Sequence, residues 1–339
     1  MDANSYDNPG NSGGNLESVM ENLSILEPEG TPFTSMVKKT RARATFPECV
    51  ADTLRKPRVG GSREGQNASG GNNKAKERKR FGTWVGRVFD EFGVTDVQQD
   101  VTTAGGNAVT DSEYGSAKAK CLREIKRDVC AMSLSNVETQ GGDENEMRPR
   151  GAFKWLSVTA QTVHAVPATF RPVAAQIQTG VGTSVPLFTE PELVAQCKAI
   201  KQVYGQKVEL DLMGGDDVVH TIDAFSRLQG DGSTYQTDKP VIEMDGKKRK
   251  VVLMVQIFDC SFARLSVMPN QFLRFAATSE DGETNAGLLL NMKLWEQQYL
   301  EELMAKDEED HGGGETGWIR GKFANMCLNP KGNGAIYNT

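Results

Sequence analysis

Histidine is nearly absent from this chain: His164, His220 and His311 are the three among 339 residues. The patterns HExxH and GxxxxGK[ST] are missing as well, which removes two common routes to hydrolysis and phosphate chemistry. The histidines fall in a strand-like stretch, a helical stretch and a glycine-rich acidic loop, where structural or solvated roles are expected. Asp216-Asp217 beside His220 reads as a helix start. His311 among Glu308, Glu309 and Asp310 reads as a solvated charge run, because the ligand spacing of a divalent-cation loop is missing. The six cysteines (Cys49, Cys121, Cys130, Cys197, Cys260, Cys327) are scattered without a CxxC pair. Reduced, mostly buried thiols are expected, and no metal cluster. No apolar run approaches the ~20 residues of a membrane span. The opening MDANSYDNPGNSGGN lacks a basic start and an apolar core, so it is not expected to be a signal peptide. No catalytic residue, cofactor site or metal ligand emerges, and no enzyme is expected.

What is present is a globular composition with many loops: 38% apolar, 25% charged, mean hydropathy -0.47 and 35 glycines. The length suffices for one elaborate domain or two ordinary ones. A net charge of -6 argues against generic nucleic-acid binding by the whole chain. The charge is uneven, however. Residues 55–80 carry nine cations (Arg55, Lys56, Arg58, Arg63, Lys74, Lys76, Arg78, Lys79, Arg80) against Glu64 and Glu77. Residues 301–315 reverse the sign, with Glu301, Glu302, Asp307, Glu308, Glu309, Asp310 and Glu315 against Lys306. The basic segment has almost no apolar side chain, yet strand-like runs flank it at 44–50 and 81–89. An extended hairpin is predicted, whose tip leaves the parent domain. Structureless loops longer than ~12–15 residues are uncommon inside compact domains and tend to be functional or disordered. A tip with no core of its own is ordered by another surface, which points to assembly. A nucleic-acid-binding protein acting through 55–80 is the alternative; the aromatic side chains for base stacking are missing there.

Along the chain, Asn15 can cap a short helix with Leu16, Val19, Met20 and Leu23 on one face, ended by Pro28, Gly30 and Pro32. The Thr31-Pro32-Phe33 turn follows, giving an arm with one adhesive side. A long helix is predicted from about 111 to 135, with a stripe of Tyr114, Cys121, Leu122, Ile125, Val129 and Met132. At 1.5 Å per residue it would be on the order of 35–40 Å long. A β-leaning stretch carries Val163, Val166 and Phe170. Thr189-Glu-Pro-Glu192 is a capping box opening a helix closed at Gly205. Then come a strand at 207–213, a helix from 214 and strands at 251–258 and 262–267, an αβαββ group within about 155–275. Residues 287–295 are apolar on both faces. Trp295, Tyr299 and Leu303 also fit helical spacing, so that segment is ambiguous. Residues 318–328 alternate like a strand and end at Asn329-Pro-Lys-Gly-Asn-Gly334.

Four segments together resemble a tailed-phage major capsid protein of the Hong Kong 97-like fold. They are Asn22-Leu-Ser-Ile-Leu-Glu-Pro-Glu-Gly-Thr-Pro-Phe33, the hairpin opening at 45–54, Leu122-Arg-Glu-Ile-Lys-Arg-Asp128, and the closing Gly314-Glu-Thr-Gly-Trp-Ile-Arg-Gly-Lys-Phe-Ala-Asn-Met-Cys-Leu-Asn-Pro-Lys331. Their order carries the resemblance. It implies an α+β fold with an N-terminal arm (1–44) and an extended E-loop hairpin with flanking strands (45–100). It also implies a P domain with a long spine helix and antiparallel sheet (101–154 and 276–339), and an A domain of mixed sheet and helices (155–275). The implied function is a structural subunit that assembles with itself as hexamers and pentamers into an icosahedral head around double-stranded DNA, held nonspecifically. A separate scaffolding protein, a portal and a decoration protein would be partners; no membrane is involved. The protein would be assembled in the host cytoplasm and reside in the virion. Inter-subunit contact is expected from the nine basic loop residues, the acidic patch and the arm residues Leu16, Val19, Met20, Leu23 and Phe33. Some members of the wider fold crosslink a loop Lys to an Asn. Lys74, Lys76, Lys79, Asn329 and Asn333 supply the residue types, but ordinary solvated side chains are the expectation.

Overall fold

The computed structural model describes residues 30–53, 59–60, 64–65, 78–100, 113–142, 145–159, 165–179, 181, 185–225, 228–230, 235–237, 241–245, 248–252, 256–275, 282–308 and 313–338. The arm helix expected at 15–27 and the loop tip lie outside them. The chain enters through α1 (Pro32–Met36), β1 (Lys38–Arg41), β2 (Glu48–Ala51), β3 (Lys79–Gly82), β4 (Gly86–Val94), α2 (Asp96–Asp100) and α3 (Glu113–Ser133). It continues through α4 (Ala152–Trp155), β5 (Ile177–Thr179), α5 (Glu190–Tyr204), β6 (Val208–Gly214) and α6 (Asp216–Phe225). Short strands follow: β7 (Leu228–Gly230), β8 (Tyr235–Thr237), β9 (Val241–Asp245), β10 (Lys248–Val252), β11 (Ile257–Asp259) and β12 (Ala263–Pro269). The last elements are β13 (Gly287–Leu290), β14 (Trp295–Asp307), β15 (Glu315–Cys327) and β16 (Gly334–Tyr337).

The described residues fall into two compact units: 89–100, 113–125, 305–308 and 313–319 in one, and the remainder in the other. In the larger unit, a six-stranded mixed sheet has the order β11-β12-β6-β13-β16-β5. Its central strands β6, β13 and β16 bury apolar side chains on both faces, and the two-residue side-chain period sorts these into two cores. Leu288, Leu290, Met213 and Ala335 face a cluster with Phe33, Trp155, Phe170 and Trp295. Their neighbours Leu289, Leu212 and Ile336 face the opposite cluster, under Leu193, Cys197 and Ile200 of α5 and Val218 and Ile222 of α6. β13 is therefore buried along its whole length, as a central strand covered on both sides must be. The returning segments β13 and β16 complete this sheet. A second sheet runs β1-β14-β15-β4, with β1 parallel to β14.

Local chemistry sets the helix ends. The Glu192 carboxylate accepts from the Thr189 N–H at 2.7 Å, and Gly205 closes α5 at φ 74°. Asp216 and Asp217 occupy the first turn of α6. Gly314 stands at φ 110° before β15, where a Cβ would meet the Val94 carbonyl at 2.2 Å.

Several expectations change. The buried stripe of α3 is Cys121, Ile125, Val129, Cys130 and Ser133, continuing into Leu134; Leu122 and Met132 are only half-buried. Cys121, Ile125 and Val129 lie on the stripe as expected, while Cys130 and Ser133 take the core positions expected of Leu122 and Met132. The run 81–89 breaks at 83–85 into β3 and β4, since the Thr83 and Val85 amides turn to the Pro47 and Thr45 carbonyls. The strand before the loop begins at Glu48 rather than Ala44. The stretch holding Val166 and Phe170 is no strand over its described residues 165–170: both side chains are buried from irregular chain and a turn. The expected strand 251–258 is divided between β10 and β11. Thr31-Pro32-Phe33 opens α1, with Pro32 in its first turn. Trp295, Tyr299 and Leu303 lie on a strand, and the acidic run beginning at Glu301 starts inside it rather than in a loop.

Candidate assembly interface

The loop expected to reach a neighbour springs from a two-stranded stem. β2 and β3 pair antiparallel with Glu48 opposite Gly82, Cys49 opposite Phe81, Val50 opposite Arg80 and Ala51 opposite Lys79. The stem changes character along its length. At its root Phe81 is buried, with ring centroids 6.0 Å from Trp155 and 5.8 Å from Phe170. Two residues on, the Thr83 hydroxyl accepts from the Arg150 N–H at 2.8 Å. Arg150 is fully buried, donates to Glu138 at 2.7 Å and lies over the Trp155 ring at 4.5 Å. Phe46 and Trp84 meet edge-on at 4.7 Å. Towards the loop Val50 is 58% exposed, and the Arg78–Asp52 pair stands 4.0 Å apart in solvent. A fixed root under an exposed polar stem suits a projecting element. Burial pushes the Cys49 thiol up to about 12, so it is inert at neutral pH.

Of the basic residues, Arg78, Lys79 and Arg80 are described and lie on or beside β3, exposed. Arg55, Lys56, Arg58, Arg63, Lys74 and Lys76 lie outside the described residues, as do Glu309, Asp310 and the arm residues Leu16, Val19, Met20 and Leu23.

The acidic patch divides. Glu301 accepts from Arg320 at 2.8 Å and from Lys322 at 3.1 Å within its own chain. Lys322 first, then Arg320, holds its carboxyl below the ordinary 4.5. In the smaller unit, Asp307 accepts from the Lys118 ammonium and the Tyr114 hydroxyl, both at 2.7 Å, and its pKa is lowered for the same reason, Lys118 first. Burial and the Asp307 bond together push the Tyr114 phenol up. Glu302, Glu308 and Glu315 are exposed. The acidic positions open to a partner's cations thus contract to these three among the described residues.

Two further corrections concern single residues. Phe33, expected to touch a neighbour, is fully buried in its own subunit, edge-on to Trp295 at 5.9 Å. Asn333 is fully buried: its Oδ1 accepts from the Asn291 N–H and Trp295 Nε1, and its Nδ2 donates to the Asn329 carbonyl. With both amide atoms engaged, Asn333 is closed to a lysine crosslink.

Sequence reasoning missed a surface groove. A groove of about 670 Å³ is lined by Lys39, Thr40 and Arg41 of β1 and Tyr299, Leu300, Glu302 and Leu303 of β14. Among the described residues β1 is an edge strand of its sheet, and Lys38 faces Glu296 across the ladder at 2.8 Å. The cluster Lys38-Lys39-Thr-Arg41 was its only sequence signal.

An α+β chain with a rooted hairpin stem, a long helix and two large sheets among its described residues is the Hong Kong 97-like architecture, and solved capsid structures share it. The cyanophage A-1(L) capsid asymmetric unit matches at TM-score 0.63 and 12% identity, over 98% of each chain. The capsid of a native GTA particle computed with C5 symmetry matches at TM-score 0.59 and 10% identity, over 99% of this chain and 100% of that one. A structure from Mycobacterium phage Bobi matches at TM-score 0.53 and 9% identity, over 96% of each. No curated protein matches the chain. The SU10 major capsid protein family matches residues 3–339, and the chain belongs to that family. It is a structural capsid subunit and a component of the virion. The alternative of a nucleic-acid-binding protein acting through 55–80 gains no support.

Proposed function

We propose that the protein tiles a closed icosahedral head as hexamers and pentamers, assembled in the host cytoplasm around double-stranded DNA that it holds nonspecifically. The family membership over 3–339 carries the reading. The role is structural and not enzymatic. In this reading residues 1–44 are the arm, 45–100 the E-loop hairpin, 101–154 with 276–339 the P domain, and 155–275 the A domain. A separate scaffolding protein, a portal and a decoration protein are the partners besides the chain itself. The basic loop lies across a neighbouring subunit, pairing with Glu302, Glu308 and Glu315, the exposed members of the acidic patch. Exposed pairs contribute about 0–1 kcal/mol each, so their effect comes from repetition over many subunits. Negative-stain microscopy of the purified protein tests the assembly: rings or shells are expected, and a stable monomer at high concentration overturns it.

A further inference from the structure

Asn333-Gly334 is the one Asn-Gly step in the chain. Such steps are prone to deamidation, because a glycine nitrogen with no neighbouring side chain can attack the preceding amide carbon. The structure explains why both residues stand there. Asn333 is fully buried just before β16. Its Oδ1 accepts from the Asn291 N–H at 2.8 Å and from Trp295 Nε1 at 3.2 Å, and its Nδ2 donates to the Asn329 carbonyl at 3.1 Å. A Cβ on Gly334 would stand 2.9 Å from the Gln176 carbonyl and 3.1 Å from both Gln196 Nε2 and Ile200 Cδ1 of α5. Hydrogen bonding thus requires the asparagine, and close packing requires the glycine. The fold also keeps the two from reacting. Asn333 is extended, at ψ 173°, which turns the Gly334 nitrogen away from Cγ. The three hydrogen bonds stop the side chain from swinging towards it.

We propose that Asn333-Gly334 is a modification site that reacts only in the opened chain and then bars its return, a one-way mark on subunits that unfold. The site is a property of the single subunit and stands apart from the capsid reading. In the opened chain the Gly334 nitrogen, giving up its proton to base, attacks Asn333 Cγ. A carbon–nitrogen bond forms, the side-chain carbon–nitrogen bond breaks, and ammonia leaves a cyclic imide. Water then opens the imide at either carbonyl, giving aspartate or isoaspartate; nothing is oxidised or reduced. Neither product suits the closed site. An aspartate carboxylate would set an oxygen against the Asn329 carbonyl, where Nδ2 now donates, and bury a charge without a partner. Isoaspartate lengthens the main chain at the entry to β16, which lies between β13 and β5 with Gly334 opposite Leu289. A lengthened backbone there disturbs a register fixed by burial on both faces.

The test holds the full-length protein at mildly alkaline pH, in native buffer and in guanidinium chloride, and follows the tryptic peptide 332–339 by mass spectrometry. Conversion at Asn333 is expected in denaturant and should be about tenfold slower, or more, in native buffer, because only opened molecules react. Gly334→Ala, assayed in denaturant where folding is not required, should slow the conversion. When denaturant is removed from a half-converted sample, the soluble folded fraction should be depleted in converted chains. If the unmodified chain does not itself refold, Asn333→Asp expressed from the start gives the second readout. It should be insoluble, or melt below wild type with a gap that narrows on acidification, as the carboxyl takes up a proton and can donate to Asn329. Equal conversion rates in the two buffers, or an unchanged rate in Gly334→Ala, overturn the proposed site. A refolded fraction as rich in converted chains as the input, or Asn333→Asp melting with wild type, overturns the bar to return. A failure to form shells would leave these results intact.

Discussion

Arg150 concentrates most of the single-residue consequences. Its guanidinium is taken entirely out of water and matched to Glu138, itself 8% exposed, beneath the stem of the projecting loop. Removing one partner of such a pair strands the other as a buried charge. Arg150→Ala is therefore expected to destabilise the fold by about 3–5 kcal/mol in chemical denaturation. A double replacement by apolar residues of similar volume should recover much of that loss. If Arg150→Ala costs under ~1 kcal/mol, the pair is not isolated from solvent. Glu301 is the opposite case, an ion pair at the surface. Its folded pKa lies below the ordinary 4.5. Its stabilising effect is fully present above the unfolded value and is lost as pH falls through the folded one. Glu301→Gln should lower the melting temperature at neutral pH, and the gap from wild type should close on acidification below 4.5. A gap that does not change with pH would assign the loss to packing.

At the scale of elements, α3 offers the sharpest test of where side chains point. Ile125 is 1% exposed, whereas Leu122 is half-buried. Ile125→Ala should cost about 2–5 kcal/mol, with Leu122→Ala well below it. Equal costs in denaturant titrations would restore the stripe that apolar spacing alone suggests. Elements whose ends are written locally were legible in the sequence. α5 lies between a Thr189/Glu192 box and Gly205, and α6 opens on two aspartates. β14 was not legible, because Trp295, Tyr299 and Leu303 satisfy helical spacing too. What decides it is a ladder to β1 on one side and β15 on the other. The stretch around Val166 and Phe170 failed for the complementary reason: apolar side chains suggested a strand, but over the described residues 165–170 no neighbouring strand takes up its backbone, and both side chains are buried from irregular chain and a turn.

For the whole molecule, the charge asymmetry between the loop and the acidic strands becomes a prediction about assembly. Reversing Lys74, Lys76, Arg78, Lys79 and Arg80 to Glu should abolish shells in negative stain and leave a folded subunit by circular dichroism. Particles of normal yield and size from that variant would refute the pairing. Among the candidate contacts, residue order alone cannot separate exposed carboxylates from those already held. Glu301 and Asp307 depend on Arg320, Lys322 and Lys118, cations that come close only once distant segments pair.

Composition, end signals and the order of segments by themselves determined an α+β chain, a long helix, a hairpin opening before residue 55 and the kinship with capsid subunits. Those features rest on interactions between residues near one another in the chain, which sequence spacing records. Tertiary structure alone decided that Phe33 and Asn333 are interior and that β13 and β16 complete the large sheet. Each depends on contacts between residues far apart along the chain, where periodicity carries no information about the partner.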